Sequence, residues 1–218
     1  MLCVSLAKID IEQAIKAIKD HDMAEVRLDL SGFGKDEILQ LIQLERDLIF
    51  TFRKNENNTD HKRLDLLIFA IQNGAAWVDV DLDNEAHFIQ SILEEIQKQK
   101  KTKLIISYHN FHSVPTNQKL FDVLIKAKSL SADLVKIACF SHGSRDNERI
   151  LPFNKHFENV IAFNMGNKGT ITRVRCLFEG ALFSYVALEG ALTAEGQLDT
   201  KTMKKMINIE KNRFNYER

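Results

Sequence analysis

The chain has 218 residues, of which 44% are hydrophobic, and its 30 lysine and arginine side chains balance 30 aspartate and glutamate side chains. This zero net charge provides no overall attraction to nucleic acid or to an anionic membrane, so any charge recognition is local. Nine glycines and two prolines argue against disorder, and the length is enough to bury a substantial core. We therefore predict a compact protein that has neither nucleic acid nor membrane as a partner.

The three cysteines indicate the cellular compartment. Cys3, Cys139 and Cys176 are odd in number and lack metal-ligand spacing, so we expect buried, reduced thiols in a reducing compartment. The apolar run at residues 2–6 is too short for a signal peptide, and no run approaches the ~18 apolar residues of a membrane span. The sequence therefore predicts a cytoplasmic protein.

Short apolar runs alternate along the chain with segments of helical spacing. The runs cover residues 2–7, 24–30, 48–53, 77–82, 103–109, 133–138, 159–163 and 182–187. Strands that alternate with helices form parallel sheets through right-handed crossovers, and eight such units close a barrel. We predict an α/β fold, a single (β/α)8 barrel over residues 1–218. An open doubly wound sheet is the alternative, although no glycine-rich phosphate motif follows the first run.

Two further segments have their own patterns. Residues 54–62 are polar and predict a mobile loop after the third run. The basic tail at residues 201–218 has an apolar stripe with helical spacing, formed by Met203, Met206 and Ile207. We expect this helix to pack on the barrel or on a partner.

Lys136 and His109 are the candidate catalytic residues. Lys136 lies between Val135 and Ile137 near the end of the sixth run, so we expect apolar surroundings, which disfavour the charged form of a lysine. A neutral amine attacks a ketone or aldehyde to form a Schiff base, and a histidine on a neighbouring strand can move the protons. The alternative is a surface lysine whose ammonium lies in water.

Further charged residues stand at the ends of the second and third runs. Period-two alternation places Glu25, Arg27 and Asp29 on one face of the second strand, and Arg53 ends the third run. Parallel strands are normally covered on both faces, so charges within them indicate pairing or a site. The carboxyl ends of all barrel strands meet at one mouth, where we expect these side chains to surround the lysine.

The seventh and eighth runs are followed by candidate ligand-binding loops. Gly166 and Gly169 allow the backbone to approach a ligand, and a helix N-terminus next to Arg173 suits a carboxylate. A simple turn between strand and helix is the alternative. Thr193 and Gln197, beyond the eighth run, supply hydrogen-bonding groups.

Taken in order, these motifs resemble one enzyme family along nearly the whole chain. The motifs are Glu25-Val26-Arg27, Thr51-Phe52-Arg53, Ser107-Tyr108-His109-Asn110-Phe111, Val135-Lys136-Ile137-Ala138, Met165-Gly166-x-x-Gly169-x-x-Thr172-Arg173 and Gly196-Gln197. The set resembles type I 3-dehydroquinate dehydratase. The resemblance implies a homodimeric (β/α)8 barrel, a lyase of the shikimate pathway that converts 3-dehydroquinate, a small molecule, to 3-dehydroshikimate without a metal or other cofactor.

The resemblance also implies a role for each matching residue. Lys136 is similar to the Schiff-base lysine of the family, and His109 to its general acid and base. Arg173 is expected to bind the substrate carboxylate. The expected contacts to the substrate hydroxyls come from Glu25, Arg27 and Arg53. Thr193 and Gln197 are expected on the loop that closes the site.

The chain departs from the family pattern near the histidine. Asn57 stands where the family commonly has a glutamate that orients the histidine, with Glu56 beside it, and Asn110 stands where an aspartate is usual. We therefore expect His109 to lack its orienting carboxylate unless Glu56 supplies one. Two other functions stay open: a class I aldolase that binds a sugar phosphate, and a barrel that binds a ligand without efficient catalysis.

Overall fold

The computed structural model describes residues 1–191 and 194–216. Within these residues, eight parallel strands form one sheet. They are β1 (Leu2–Leu6), β2 (Met23–Arg27), β3 (Asp47–Thr51), β4 (Trp77–Asp81), β5 (Lys103–Asn110), β6 (Leu134–Phe140), β7 (Val160–Met165) and β8 (Ser184–Ala187). The strand order is β7-β6-β5-β4-β3-β2-β1-β8, in which β1 pairs with both β2 and β8. This nearly closed sheet confirms the predicted (β/α)8 barrel.

Helices connect the strands and cover the outside of the barrel. They are α1 (Ile11–Lys19), α2 (Leu28–Ser31), α3 (Lys35–Ile42), α4 (Asp60–Gln72), α5 (Ala86–Gln99), α6 (Asn117–Ser129), α7 (Ser144–Ile150), α8 (Pro152–His156), α9 (Thr170–Arg175) and α10 (Thr200–Tyr216). The first helix shows why the connections are short. The Asp10 side chain accepts a hydrogen bond from Gln13 N at 2.8 Å and so caps α1 only four residues after β1 ends.

Alternating residues of each strand face two separate apolar layers. Val4 and Leu6 pack against the helices, whereas Cys3, Met23 and Trp77 fill the floor of the barrel interior. Because side chains alternate between the faces of a strand, residues two positions beyond this floor also point inward. Polar side chains therefore stand above the floor on the inner face, among them Glu25, Asp79, Ser107 and Lys136.

Two local predictions need correction, and one segment was not predicted. β2 ends at Arg27, and the helical turn α2 follows, so Asp29 is not part of the strand. The predicted loop at residues 54–62 is shorter, because Thr59 caps α4 by accepting a hydrogen bond from Lys62 N at 3.2 Å. Between β6 and β7 the chain forms the two short helices α7 and α8, which no apolar spacing had indicated.

The C-terminal helix α10 packs on the barrel, which was one of the two arrangements expected for the tail. Met203 is fully buried, and Glu210 accepts a hydrogen bond from Nε of Arg175 at 3.0 Å. Residues 217–218 of the predicted tail lie outside the described residues.

Cys3, Cys139 and Cys176 are buried free thiols, as expected. None of the described helices is long and apolar enough to cross a membrane.

Candidate active site

A cavity of about 540 Å³ opens at the carboxyl end of the strands. The predicted site residues that line it are Glu25, Arg27, Arg53, His109, Lys136, Arg173 and Gln197. Thr193 lies outside the described residues. Among the residues that the structure describes, no group of three or more histidine, cysteine, aspartate or glutamate side chains is placed to hold a metal ion.

Lys136 lies in the barrel interior with 6% of its surface exposed. Its Nζ atom is 3.3 Å from Oδ2 of Asp79 and 3.7 Å from Oε1 of Glu25, and it sits 4.1 Å from the centre of the Tyr185 ring. The expectation of apolar surroundings is therefore wrong for the ammonium. The apolar sequence neighbours of Lys136 face the helices, whereas Lys136 itself points toward carboxylates on other strands.

Glu25 is an ionised carboxylate inside this cluster. It accepts hydrogen bonds from Oγ of Ser5 at 2.9 Å and from Oγ1 of Thr51 at 3.0 Å. Burial raises the pKa of Glu25, but the positive charges of Lys136 and then Arg27 outweigh it and lower this pKa to about 2. The side chain is therefore fixed as an anion next to the lysine.

Asp79 and Asp81 of β4 were missed by the sequence reasoning. Arg53 joins them, with Nη2 at 2.8 Å from Oδ2 of Asp79 and Nη1 at 2.8 Å from Oδ2 of Asp81. Ser107 donates a hydrogen bond to Oδ1 of Asp79 at 2.6 Å. The sequence did contain a sign of this site, because Asp79 and Asp81 alternate with apolar residues in one strand. Charged residues within a parallel strand indicate pairing or a site, as inferred above for Glu25 and Arg27.

Asp81 supplies the carboxylate that His109 was expected to lack. Nδ1 of His109 lies 2.7 Å from Oδ1 of Asp81. Burial lowers the pKa of His109, and the hydrogen bond to Asp81 only partly opposes this shift, so the ring is neutral near pH 7. A neutral ring that donates its Nδ1 proton to Asp81 keeps Nε2 as an acceptor.

The two asparagines that depart from the family pattern have other partners. Asn57 lies in an exposed loop, where its backbone N–H donates to Oδ1 of Asn55 at 2.9 Å. Neither Asn57 nor Glu56 lines the cavity. Oδ1 of Asn110 accepts hydrogen bonds from the backbone N–H groups of His112 and Ser113 at 2.9 and 3.0 Å. Asn110 therefore stabilises the loop after β5.

Arg173 carries a charge that the surrounding carboxylates do not neutralise. Its guanidinium lies 4.6 Å from the centre of the Phe163 ring, and it forms no ion pair with the described carboxylates. Its Nε atom is buried and has no hydrogen-bond partner among the described residues. Burial lowers the pKa of Arg173 to about 10, so the group is still a cation near pH 7. Arg27, by contrast, forms a bidentate pair with Asp29 at 3.0 and 2.7 Å.

Residues 195–197, in the loop after β8, contact the loop after β7. The N–H of Gly166 donates to the carbonyl oxygen of Glu195 at 3.1 Å. Gly196 has a φ of +73°, and a Cβ atom there would lie 2.3 Å from the carbonyl oxygen of Gly166. This close approach, which only glycine permits, brings the buried Gln197 to the cavity.

Comparison with known proteins identifies relatives over nearly the full length. Residues 2–213 match the family described as Type I 3-dehydroquinase. The 3-dehydroquinate dehydratase of Methanococcus vannielii is 31% identical, over 96% of this chain and 99% of that protein. The 3-dehydroquinate dehydratase of Pyrococcus abyssi is also 31% identical, over 96% and 98% of the two chains.

Solved structures share the barrel. The Clostridium difficile type I 3-dehydroquinate dehydratase with covalently modified comenic acid is similar, with a TM-score of 0.82 and 23% identity over 95% of this chain and 90% of that chain. The 3-hexulose-6-phosphate synthase of Salmonella typhimurium has the same fold at a lower TM-score of 0.61 and 14% identity, over 94% and 97% of the two chains. The match over residues 2–213 and the two relatives at 31% identity decide between such barrels. The chain belongs to the type I 3-dehydroquinase family.

Proposed function

We propose that this chain dehydrates 3-dehydroquinate to 3-dehydroshikimate in the shikimate pathway, through a Schiff base on Lys136. Membership of the type I 3-dehydroquinase family supports the lyase reaction. The observation that carries the assignment of roles is that three groups line one cavity: Lys136, a neutral His109, and Arg173, which has no ion pair with the described carboxylates. A carbonyl substrate that bears a carboxylate suits these three groups.

Arg173 binds the substrate carboxylate. A guanidinium presents two parallel N–H donors to a carboxylate, and this one has no ion-pair partner among the described residues to displace. Arg27 and Arg53 are already held by Asp29 and by the acids of β4, so they are placed to contact hydroxyls. Glu25 joins them from its position beside the lysine. Gln197, and by resemblance Thr193, contact the substrate from the closing loop.

Lys136 supplies the nucleophile. The amine of Lys136 attacks the C3 carbonyl carbon and forms the new carbon–nitrogen bond. One amine proton and one proton from solvent convert the carbonyl oxygen to water, which leaves, and the imine nitrogen keeps the second amine proton and a positive charge. The resulting cationic imine draws electrons from the neighbouring C2–H bond. Asp79 and Glu25, at 3.3 and 3.7 Å from Nζ, are buried carboxylates that stabilise this positive charge.

His109 moves the proton. Its Nε2 lone pair, kept available because Asp81 holds the Nδ1 proton, removes a proton from C2 and leaves a neutral enamine. The imidazolium then donates this proton to the C1 hydroxyl, which departs as water while the enamine electrons restore the imine. Water then hydrolyses the cationic imine, which releases the product and the free amine and returns one proton to solvent.

The two alternative functions have less support. An aldolase for sugar phosphates would place a phosphate at the unpaired cation, but the match to the type I 3-dehydroquinase family argues against this substrate class. Asn57 and Asn110, at positions that are usually acidic in the family, suggested a barrel that binds a ligand without efficient catalysis. The contact of His109 with Asp81 weakens that suggestion, because it provides the orienting carboxylate from another strand.

We also propose that the chain acts as a single catalytic domain, assembles as a homodimer and works in the cytoplasm. These proposals rest on the resemblance and on the odd number of buried free cysteines. Light scattering of the purified protein tests the dimer, which requires twice the 25.0 kDa mass of the chain.

The test of the proposed function follows enone absorbance in the ultraviolet after 3-dehydroquinate is mixed with purified protein. Borohydride reduction with substrate present should trap a covalent adduct on Lys136, detectable by mass. Lys136→Ala should abolish turnover and trapping, whereas Lys103→Ala, at the opposite end of the neighbouring strand, should retain both. Full activity in Lys136→Ala would overturn the proposal.

A further inference from the structure

Tyr185 lies beneath the reactive amine and had no place in the sequence reasoning. It belongs to β8, is 3% exposed, and lines the cavity. The centre of its ring is 4.1 Å from Nζ of Lys136. The edge-on contact with Phe183, at 5.3 Å between ring centres and 68° between planes, holds the ring in this orientation. The lysine nitrogen therefore has an aromatic ring as well as two carboxylates as its neighbours.

The change at Nζ during the reaction makes the ring contact distinctive. An ammonium has three N–H donors for carboxylates, whereas an imine nitrogen that carries the same positive charge has only one. The hydrogen bond to Asp79 at 3.3 Å depends on such a donor. The attraction between a cation and a ring face needs no N–H donor, and it is strongest where the cation is desolvated. The contact with Tyr185 can therefore persist after the amine has become an imine.

We propose that Tyr185 is a further catalytic residue, whose ring face stabilises the cationic imine on Lys136 relative to the neutral carbinolamine and enamine. This inference rests on the proposed Schiff-base function. It assigns to β8 a contribution to the chemistry at Nζ, in addition to those of β2 and β4.

The hydroxyl of Tyr185 provides a clean control. It is buried and has no hydrogen-bond partner among the described residues. Tyr185→Phe therefore removes no described hydrogen bond and keeps the ring, and it relieves the cost of burying an unpaired hydroxyl. Tyr185→Leu removes the ring and leaves an apolar side chain in its place.

The experiment measures the fraction of protein trapped by borohydride at saturating 3-dehydroquinate, by intact mass, for wild type, Tyr185→Phe and Tyr185→Leu. We expect the phenylalanine variant to trap as wild type does and the leucine variant to trap about tenfold less, the scale of a buried cation–ring contact. Equal trapping in the leucine and phenylalanine variants would overturn the inference. Absence of trapping in wild type would instead overturn the proposed function itself.

A second series guards against misfolding of the leucine variant. Phenylalanine and its mono-, di- and trifluorinated forms, inserted at position 185, keep the ring shape while the negative charge of its face weakens step by step. The trapped fraction should fall with each added fluorine if the ring stabilises the cation. A trapped fraction that is constant across the series would show that Tyr185 only fills space.

Discussion

Oδ1 of Asp81 and Nδ1 of His109 lie 2.7 Å apart, which ties the candidate base to the end of β4. Asp81 is held in turn by Arg53 at 2.8 Å. Burial raises the pKa of Asp81, but Arg53 and the hydrogen bond to His109 lower it well below its ordinary range, so Asp81 is a permanent acceptor. The orientation of the imidazole therefore does not depend on the loop that contains Asn57.

Asp81→Asn should reduce kcat by about 10²- to 10⁴-fold, the usual contribution of a positioned acid–base group. An asparagine can donate its amide proton to Nδ1, which moves the imidazole proton to Nε2 and removes the base. Because Asp81 raises the pKa of His109 against the lowering effect of burial, its loss should also shift the acidic limb of kcat/KM to lower pH. Steady-state kinetics over a pH series measures both changes.

Asn57→Glu is the matched control for this prediction. It restores a carboxylate at the position where the family commonly has one, but in an exposed loop that does not line the cavity. We expect unchanged kcat. A rise in kcat together with a mild effect of Asp81→Asn would mean that the loop, and not β4, orients His109.

The fold was predictable because apolar runs mark the strands. The runs predicted at residues 133–138 and 159–163, for example, correspond to β6 and β7, and helical spacing separates most of the eight runs. The turn at Leu28–Ser31 and the helices α7 and α8 were not predicted, because they are too short for a periodic apolar face to develop.

The partners within the site were less predictable than its members. Motifs at the strand ends indicated His109 and Lys136, but the register between neighbouring strands decides what each side chain contacts. Asp81 of β4 pairs with Ser107 of β5, and Ser107 pairs with Lys136 of β6. This register brings carboxylates of β4 to both residues. Local sequence, which shows only apolar neighbours of Lys136, could not reveal that.

Arg173→Ala should raise KM for 3-dehydroquinate by about 10- to 100-fold, the value of a charge-assisted hydrogen bond or two. The change in kcat should be smaller, because the carboxylate is bound in both the ground and transition states. Arg175→Ala is the control on the same helix, since Arg175 pairs with Glu210 of α10 and does not line the cavity. An unchanged KM with a large loss of kcat would contradict this role for Arg173.

Gly196→Ala should raise KM about tenfold or more by preventing the closing loop from docking. A Cβ atom at position 196 would lie 2.3 Å from the carbonyl oxygen of Gly166. Gly190→Ala is a matched control, because Gly190 has a similar φ of +77° with nothing within 4 Å of its added Cβ. Both variants bear the cost of ~1–2 kcal/mol for a left-handed alanine, so only the clash separates them. Equal KM values in the two variants would contradict the proposed closure.

Glu25→Gln should lower the free energy of unfolding near pH 7, and the difference from wild type should shrink in acid. The folded-state pKa of Glu25, about 2, is below its ordinary value of 4.5, so the ionised form stabilises the fold above about pH 4.5. This stabilisation, roughly 3 kcal/mol, is lost as the pH falls toward 2. Urea unfolding of both proteins at pH 7, 5.5 and 3.5 measures the difference. This difference should be constant between pH 7 and pH 5.5 and smaller at pH 3.5.

Glu94→Gln, on the exposed side of α5, is the control and should follow the wild-type curve throughout. If the difference between Glu25→Gln and wild type did not change down to pH 3.5, this carboxylate would not be held as an anion by Lys136 and Arg27.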